Sequence, residues 1–452
     1  MIVNDGIIAA IADNAGIFLF LVLLGIIVAL VNKAGGSAAF GRWAASHIHS
    51  KAGALLATFA LGVLIFIDDY FNCLTVGSVM TPVTDSQRIS RVKLAYLIDA
   101  TAAPICMIAP ISSWAAAVSG VAAKLDTGVS GIQLFIEAIP YNFYSLLTIV
   151  FVITMVVLGV DYGPMAAAEL KAAQTGDLGA LSEEQEEGSS RANMWDMLIP
   201  IILLIIFCVI GLIYVGGFWD PETNAGDFIA AFGDTDAFVG LPWGALIALV
   251  LSIIYLCARR VITFKGAMGC MTKGFNAMVP AILILTFAVS LKSMTGLLGA
   301  ADYVEGLMKQ ASEGLFMLLP AIIFVVACLL AFATGTSWGT FGILIPIVLP
   351  IFNAAPDLQI MGISACLAGA VCGDHCSPIS DTTIMASAGA NCNHIDHVST
   401  QIPYAVTVAA ICFVNYILAA FIRNVVISLA IGVVMVIGTL LVIRSVQSRK
   451  TA

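Results

Sequence analysis

The sequence has little charge for its length. Lys, Arg, Asp and Glu make up only 10% of the 452 residues, whereas 60% are hydrophobic, and the mean hydropathy is +1.03. A soluble domain of this size cannot bury that much apolar surface in a core. Uncharged runs such as 16–31, 197–214 and 424–443 approach the roughly 20 residues that cross a bilayer as a helix. The composition therefore predicts an all-α integral membrane protein with several spans.

Other absences exclude further classes. The sequence shows no hydrolase, phosphate-loop or redox motif, which argues against an enzyme and predicts no cofactor. The net charge of −9 comes largely from two acidic loops, and nothing favours nucleic acid as a partner. Cys372, His375, Cys376, Cys392 and His394 lack CxxC spacing, so packing is favoured over zinc binding. No basic stretch precedes the first apolar run, so we expect no cleavable signal peptide.

The basic residues predict a topology, because Lys and Arg near span ends tend to remain cytoplasmic. One alternating path places most of the 19 Lys and Arg residues inside. It puts the acidic loop 161–193 and the basic C-terminus in the cytoplasm, and the N-terminus and the acidic loop 218–237 outside. The predicted spans are 15–33, 93–119, about 140–160, 194–216, 238–258, 275–292, 403–422 and 425–443.

Two segments fit neither one span nor two. Residues 52–82 are too short for two crossings, and their polar middle, 68–72, cannot face lipid, so a re-entrant hairpin is predicted. Residues 314–352 form a second hairpin, entered from outside, and 358–389 an interrupted helix. An offset of 268 positions aligns both hairpins and places 110–112 on 378–380, which predicts an inverted-topology repeat. The predicted divisions are 1–160 (first repeat), 161–193 (acidic linker), 194–258 (connecting helices), 259–402 (second repeat) and 403–452 (C-terminal helices and basic tail).

The densest polar run within an apolar region is 373–383. Ionisable residues at membrane depth usually line an ion or substrate path, and Pro378 should break the helix and free carbonyl groups. Carboxylate, hydroxyl and carbonyl oxygens suit a small hard cation. In an antiporter one carboxylate holds either the cation or a proton, although any single Asp could instead cap a half-helix. The predicted cation and proton site comprises Asp68, Asp69, Asn72, Asp374, Ser377, Ser380, Asp381 and Thr382, with Na⁺ as the metal.

Two further groups of residues are weaker candidates. The segment 334–340 combines glycines with hydroxyl side chains, which suits close approach to a ligand but also a plain helix break. Histidines near the cytoplasmic end titrate near neutral pH, so a pH sensor and a capped turn both remain open there. The candidate substrate contacts are Ser112, Ser113, Thr336, Ser337, Thr340 and His375, and the candidate sensor is His394, Asp396 and His397.

At these residues the sequence resembles the NhaC-type sodium/proton antiporters of the ion-transporter superfamily. The similarity lies in 67–72, 109–114, 335–340, 373–383 and 393–397 and extends from about residue 15 to 420. The resemblance implies a secondary transporter of the plasma (inner) membrane that exchanges sodium or lithium for protons, and it hints at a homodimer. Relatives also include carriers of organic solutes. Sodium- or proton-coupled transport of an amino acid or a hydroxy or dicarboxylic acid is therefore the alternative.

Overall fold

The computed structural model describes residues 2–13, 15–66, 69–110, 112, 114–115, 117–118, 131–181, 191–297, 317–352 and 356–451. Within these ranges the chain consists of helices joined by turns and loops, with one isolated β-bridge between Ala180 and Cys392. The α-helices are α1 (Ala9–Asp13), α2 (Ala15–Ala34), α3 (Gly36–His47), α4 (Lys51–Leu64), α5 (Asp69–Ser86), α6 (Arg91–Thr101), α7 (Ala103–Cys106), α8 (Gly131–Ala138), α9 (Phe143–Leu158), α10 (Gly163–Thr175), α11 (Trp195–Val215), α12 (Phe228–Gly233), α13 (Ala237–Ala258), α14 (Phe264–Leu297), α15 (Leu319–Thr334), α16 (Ser337–Ile351), α17 (Pro356–Cys376), α18 (Asp381–Gly389), α19 (His394–Ile422) and α20 (Val425–Thr451).

Within the described ranges, five helical stretches are long and apolar enough to cross a bilayer, and α17 with α18 would add a sixth span bent by 49°. The five overlap five predicted spans, although Phe143–Thr175 and His394–Ile422 are longer than the predicted 140–160 and 403–422. The prediction of an all-helical, multi-pass membrane protein is therefore confirmed. The five stretches are Phe143–Thr175, Trp195–Val215, Phe238–Ala258, His394–Ile422 and Val425–Ser448.

Local sequence explains where these helices begin and end. Ser50 caps α4 by accepting a hydrogen bond from the Gly53 N–H, and Asn393 caps α19 by accepting from two backbone N–H groups. Such side chains satisfy N–H groups that have no partner within the helix. Gly159 ends α9 in the left-handed region at φ +63°, where a residue without Cβ is unstrained.

The helices form two packed groups. In one group α2 packs against α13 and α14, and α11 packs against α13; in the other, α4, α5, α6, α9 and α15 to α20 surround the polar residues of the site. Small residues allow close approach in the first group, because a Cβ on Gly244 of α13 would lie 2.4 Å from the Phe207 carbonyl oxygen of α11. Exposed Ile202, Ile206 and Ile210 form one stripe on α11, as expected for a lipid-facing surface.

The structure differs from the sequence expectations at three places. The segment 275–292, predicted as a span, belongs to the longer continuous helix α14. The predicted span 93–119 is interrupted at Ala102, between α6 and α7. Part of the predicted solvated linker 161–193 forms helix α10, whose Met165 and Glu169 are buried, because its inner face docks on the protein. The acidic residues 182–190 lie outside the described ranges.

Candidate functional site

The polar run 373–383 lies where α17 stops and α18 starts. The structure confirms the predicted helix break, since α17 ends at Cys376 and α18 begins at Asp381. Ser380 caps α18 by accepting a hydrogen bond from the Thr383 N–H. The freed Pro378 carbonyl accepts a hydrogen bond from His394 Nε2 at 2.7 Å. Hydrogen bonds from α18 and α19 therefore stabilise the break between α17 and α18.

Two buried carboxylates flank this break. Asp374 lies in the last turn of α17 and Asp381 is the first residue of α18, with exposed fractions of 2% and 6%. Ser337 Oγ donates to Asp374 Oδ2 at 2.7 Å, and the Tyr70 hydroxyl donates to Asp381 Oδ2. Ser337 begins α16 and Tyr70 lies in the first turn of α5, so each carboxylate contacts a different helix break.

The first of those breaks, between α4 and α5, is organised by Asn72. Its Nδ2 group donates to the carbonyl oxygens of Gly62 at 2.7 Å, Ile65 at 2.9 Å and Thr101 at 2.9 Å. These carbonyls lie at the ends of α4 and α6, where helices leave acceptors without intrahelical partners. Asp69 is buried beside this break, whereas the predicted site residue Asp68 lies outside the described ranges.

The second break lies between α15 and α16. Gly335 ends α15 in the left-handed region at φ +64°, and a Cβ there would lie 2.6 Å from the Ile379 carbonyl oxygen. Glycine therefore lets this turn contact the connection between α17 and α18 directly. Trp338 meets Trp114 edge to face, with ring centroids 6.1 Å apart. The predicted contacts Thr336, Ser337 and Thr340 are all buried at this turn.

Other predicted hydroxyl residues are engaged mainly with the backbone. Ser377 Oγ donates to the Phe332 carbonyl at 2.8 Å, and Ser112 Oγ donates to the Cys106 carbonyl at 2.7 Å. Thr382 lies 2.9 Å from Ser380 Oγ. Ser113 lies outside the described ranges. Through these hydrogen bonds the hydroxyl groups stabilise the ends of the broken helices.

The predicted sensor residues do not form one group. His394 contacts the Pro378 carbonyl, Asp396 is exposed, and His397 is completely buried with its Nε2 3.2 Å from Asp99 Oδ2. His375, predicted as a substrate contact, contacts the Tyr144 hydroxyl, with 2.8 Å between that oxygen and Nδ1.

Sequence reasoning missed Asp99, Gln401, Tyr70 and Tyr144, all of which join these polar contacts. A signal existed for Asp99, which is the only acidic or basic residue between positions 94 and 123 and therefore costly in an apolar helix. Tyr70 lies in the polar segment 68–72 that predicted the first hairpin, but its hydroxyl was not singled out. No comparable signal existed for Gln401 and Tyr144, because an isolated Tyr or Gln in a helix is equally compatible with packing.

Among the described residues, no Lys or Arg side chain forms an ion pair with Asp374 or Asp381. In the described part of the chain, Lys and Arg pair with carboxylates other than Asp374 and Asp381, as in Lys93 with Asp161 and Arg91 with Asp85. Asp374 and Asp381 act on each other electrostatically. Two acidic groups in a low-dielectric setting cannot both stay ionised without a counter-ion. The arrangement suits binding of a cation or a proton.

A multi-pass helical bundle with interrupted helices around buried carboxylates defines a secondary transporter. A family model supports this class and gives it a name. The model of the Na⁺/H⁺ antiporter family matches residues 105–421, and the chain belongs to this family of antiporters.

Several known proteins are similar to the chain. An uncharacterized protein of Haemophilus influenzae is 38% identical over 420 residues, 90% of this chain and 79% of that protein. The arginine/ornithine antiporter ArcD of Halobacterium salinarum is 26% identical over 52% of this chain and 44% of its own length. The malate-2H⁺/Na⁺-lactate antiporter of Bacillus subtilis is 26% identical over 43% of this chain and 42% of its own length. The YdaH transporter of Alcanivorax borkumensis aligns with a TM-score of 0.45 and 14% identity over 92% of this chain and 87% of that one.

Proposed function

We propose that this protein exchanges sodium or lithium for protons across the plasma membrane by alternating access. The observation that carries the proposal is the pair of buried carboxylates, Asp374 and Asp381, at one helix break. Each accepts a hydrogen bond from a hydroxyl of another break, and neither has a Lys or Arg partner among the described residues.

The physical basis of exchange is exclusive occupancy. Burial penalises the ionised form of both carboxyl groups, so either a proton or a cation must offset their charge. A sodium ion prefers oxygen ligands. Asp374 Oδ1 and Asn72 Oδ1 are buried oxygens that lack a hydrogen-bond partner in the described part of the chain. Carboxylates that are protonated from outside and take up sodium inside would let the proton gradient drive sodium out.

The wider set of predicted ligands follows from the same chemistry. We assign the cation and proton to the carboxyl, amide and hydroxyl groups around the breaks. The proposed substrate contacts are Ser112, Ser113, Thr336, Ser337, Thr340 and His375. The proposed cation-site residues are Asp68, Asp69, Asn72, Asp374, Ser377, Ser380, Asp381 and Thr382.

An inverted repeat with two re-entrant hairpins is the architecture that we propose for alternating access. Helices α4 and α15 begin at Lys51 and Leu319, and helices α5 and α16 at Asp69 and Ser337. Both pairs are separated by 268 positions, the offset found in the sequence. Equal spacing of the helix starts supports a duplicated unit whose helix breaks meet near the middle of the bilayer.

The proposed orientation places the C-terminus in the cytoplasm. Lys51 pairs with Glu169 of α10, and Glu169 accepts a hydrogen bond from Ser90 at the start of α6. Near the same end of the molecule, Gln447 of α20 donates to the Asp161 carbonyl at 2.6 Å. Lys93 pairs with the side chain of the same Asp161. Lys51 and Lys93 therefore lie at one end with the C-terminal helix, which supports a cytoplasmic location of that end.

Transport of an organic solute is the second candidate, and the names of two partial relatives favour it. One relative is named for arginine and ornithine and the other for malate and lactate. An organic carboxylate would need a cationic or helix N-terminal partner. The N-termini of α5, α16 and α18 at the breaks could serve an organic carboxylate. In the described ranges, however, Asp374 and Asp381 have no ion pair with Lys or Arg, and their negative charges favour a cation as the cargo.

Flux measurements decide between the two candidates. The protein is reconstituted in liposomes with a pH-sensitive dye inside, and sodium, lithium, potassium, amino acids and hydroxy acids are added in turn. Sodium- or lithium-dependent proton movement without any organic solute is the expected result. Proton movement only with an organic solute would assign that solute as cargo and leave sodium as a coupling ion at most.

Asp374→Asn and Asp381→Asn should each abolish sodium-driven proton movement, because an amide keeps the shape of the carboxyl group but carries no charge. The matched control is Asp220→Asn in the exposed loop after α11, which should retain flux. Full activity in both buried variants would remove these carboxylates from the mechanism.

A further inference from the structure

A second group of buried polar residues lies behind the helix break. It consists of Asp99 on α6, His375 on α17, and His397 and Gln401 on α19, and we name it the Asp99 cluster. Their exposed fractions are between 0% and 2%. Asp99 Oδ2 lies 3.2 Å from His397 Nε2 and accepts from Gln401 Nε2 at 2.9 Å.

The hydrogen bonds assign the tautomer of His397. Asp99 Oδ2 accepts from Gln401 Nε2. With Asp99 as a carboxylate, which has no hydrogen to donate, His397 Nε2 carries the hydrogen and donates to the same oxygen. His397 Nδ1 then presents a lone pair, and it has no hydrogen-bond partner in the described part of the chain. Asp99 Oδ1, His375 Nε2 and Gln401 Oε1 are buried without such partners too. Groups of this kind are rare in folded proteins and indicate an exchangeable proton or water.

With neutral imidazoles, the Asp99 cluster carries one buried negative charge. Within the described ranges, other charged groups of the surrounding helices are engaged elsewhere: Lys93 with Asp161, and Lys51 with Glu169. One added proton would make the cluster neutral, which lowers the cost of burial. Six titratable groups on the surrounding helices face the cluster: Tyr96 of α6, Tyr144 of α9, Asp374 and Cys376 of α17, Asp381 of α18 and Tyr404 of α19. Two more lie one contact further away, because Tyr70 of α5 contacts Asp381 and His394 of α19 contacts Pro378.

We propose that Asp99 and His397 form a proton-binding site of their own, separate from the carboxylates at the break between α17 and α18. The proton forms an N–H bond at His397 Nδ1, and the resulting imidazolium is balanced by the Asp99 carboxylate. Release breaks that N–H bond and restores the neutral imidazole. This inference rests on the proposed exchange of sodium for protons, and it adds a second proton-binding group to the carboxylates Asp374 and Asp381.

The geometry also links this site to the cation. The Asp99 carboxylate acts electrostatically on both Asp374 and Asp381. Gln401 Nε2 donates to the His375 carbonyl at 2.6 Å, so the cluster contacts the residue adjacent to Asp374. A proton on the Asp99 cluster removes a negative charge that attracts the cation. The proton on the Asp99 cluster and the cation therefore oppose each other through space, in addition to the competition of proton and cation for Asp374 and Asp381.

Two transport assays separate this proton from the cation. Exchange of labelled sodium for unlabelled sodium needs no net proton movement, whereas sodium-driven acidification or alkalinisation does. At saturating sodium, Asp99→Asn and His397→Gln should lower the rate of proton movement at least about tenfold, a change of about 1.4 kcal/mol. The rate of sodium exchange should stay within about threefold of wild type in both variants. His397→Gln retains an N–H donor for Asp99, and His49→Gln, at an exposed position, is the matched control.

Each outcome decides the proposal. Normal proton movement in Asp99→Asn overturns it. Parallel loss of proton movement and sodium exchange in both folded variants also overturns it, because that result shows a positioning role only. Acid–base back-titration of the purified proteins provides a test that needs no transported ion. Between about pH 5 and 9, wild type should take up one more proton per chain than Asp99→Asn. Equal proton uptake by the two proteins overturns the proposal. A wild type that moves no protons with sodium refutes the proposed function alone, since the back-titration still tests the cluster.

Discussion

Two buried asparagines provide a sharp test of the helix breaks, because their hydrogen bonding differs completely. Asn72 and Asn415 are both 0% exposed. Asn72 Nδ2 donates to three carbonyl oxygens at the ends of α4 and α6. Asn415, in α19, has neither its Nδ2 nor its Oδ1 hydrogen bonded in the described part of the chain. The same substitution, Asn to Leu, should therefore have opposite consequences at the two positions.

The magnitudes follow from these contacts. Asn72→Leu leaves the carbonyls of Gly62, Ile65 and Thr101 without their donor. The amide shares only two hydrogens among these three acceptors, so at about 1 kcal/mol for each hydrogen bond the loss is about 2 kcal/mol of unfolding free energy. With about 2.1 cal/mol/K of unfolding entropy per residue, this corresponds to a fall in Tm of roughly 2 °C for a chain of this length. Asn415→Leu removes polar atoms without partners, so Tm should stay constant or rise.

The chain provides its own reporter for this measurement. All eleven cysteines are free and most are buried, so a thiol-reactive fluorescent dye responds as the protein unfolds on heating. Asn72→Leu should also reduce sodium-driven proton flux, because the carbonyls that it releases lie beside the site. Equal Tm changes in Asn72→Leu and Asn415→Leu would show that the hydrogen bonds of Asn72 do not stabilise the breaks.

Two further substitutions test how the helix breaks are held. His394→Ala removes the donor to the Pro378 carbonyl and should lower stability by about 1–3 kcal/mol. His394→Gln keeps an N–H donor and should leave the pH profile of flux unchanged, and a shifted profile in this variant would support the pH-sensor hypothesis. Gly77→Ala places a Cβ 2.4 Å from the backbone of Gly389, so it should separate α5 from α18 and lower both Tm and flux. In the control Gly438→Ala on α20, a Cβ meets nothing within 4 Å, so Tm and flux should stay unchanged. Equal effects of the two alanine variants would contradict the close packing of α5 and α18.

Local pattern was enough to predict several features of this protein. The apolar runs that became α11 and α20 are uncharged over the length of a bilayer, so their environment follows from solvation alone. Pro378 cannot donate a backbone hydrogen bond, and the helix stops beside it. Hydropathy did not reveal α10, because its buried face is short and is formed by contacts with other parts of the chain.

The sequence by itself determined that the chain is an all-helical membrane protein with a broken helix rich in carboxylates, because solvation and proline geometry act locally. Only the tertiary structure decided which groups meet: the Tyr70 hydroxyl and Asp381 are 311 positions apart, and Asp99 and His397 are 298 positions apart. Hydrogen bonds between such distant residues depend on how helices pack, and packing depends on the whole set of side chains at each interface. The residues that balance the buried charges could therefore be identified only after the helices had been placed.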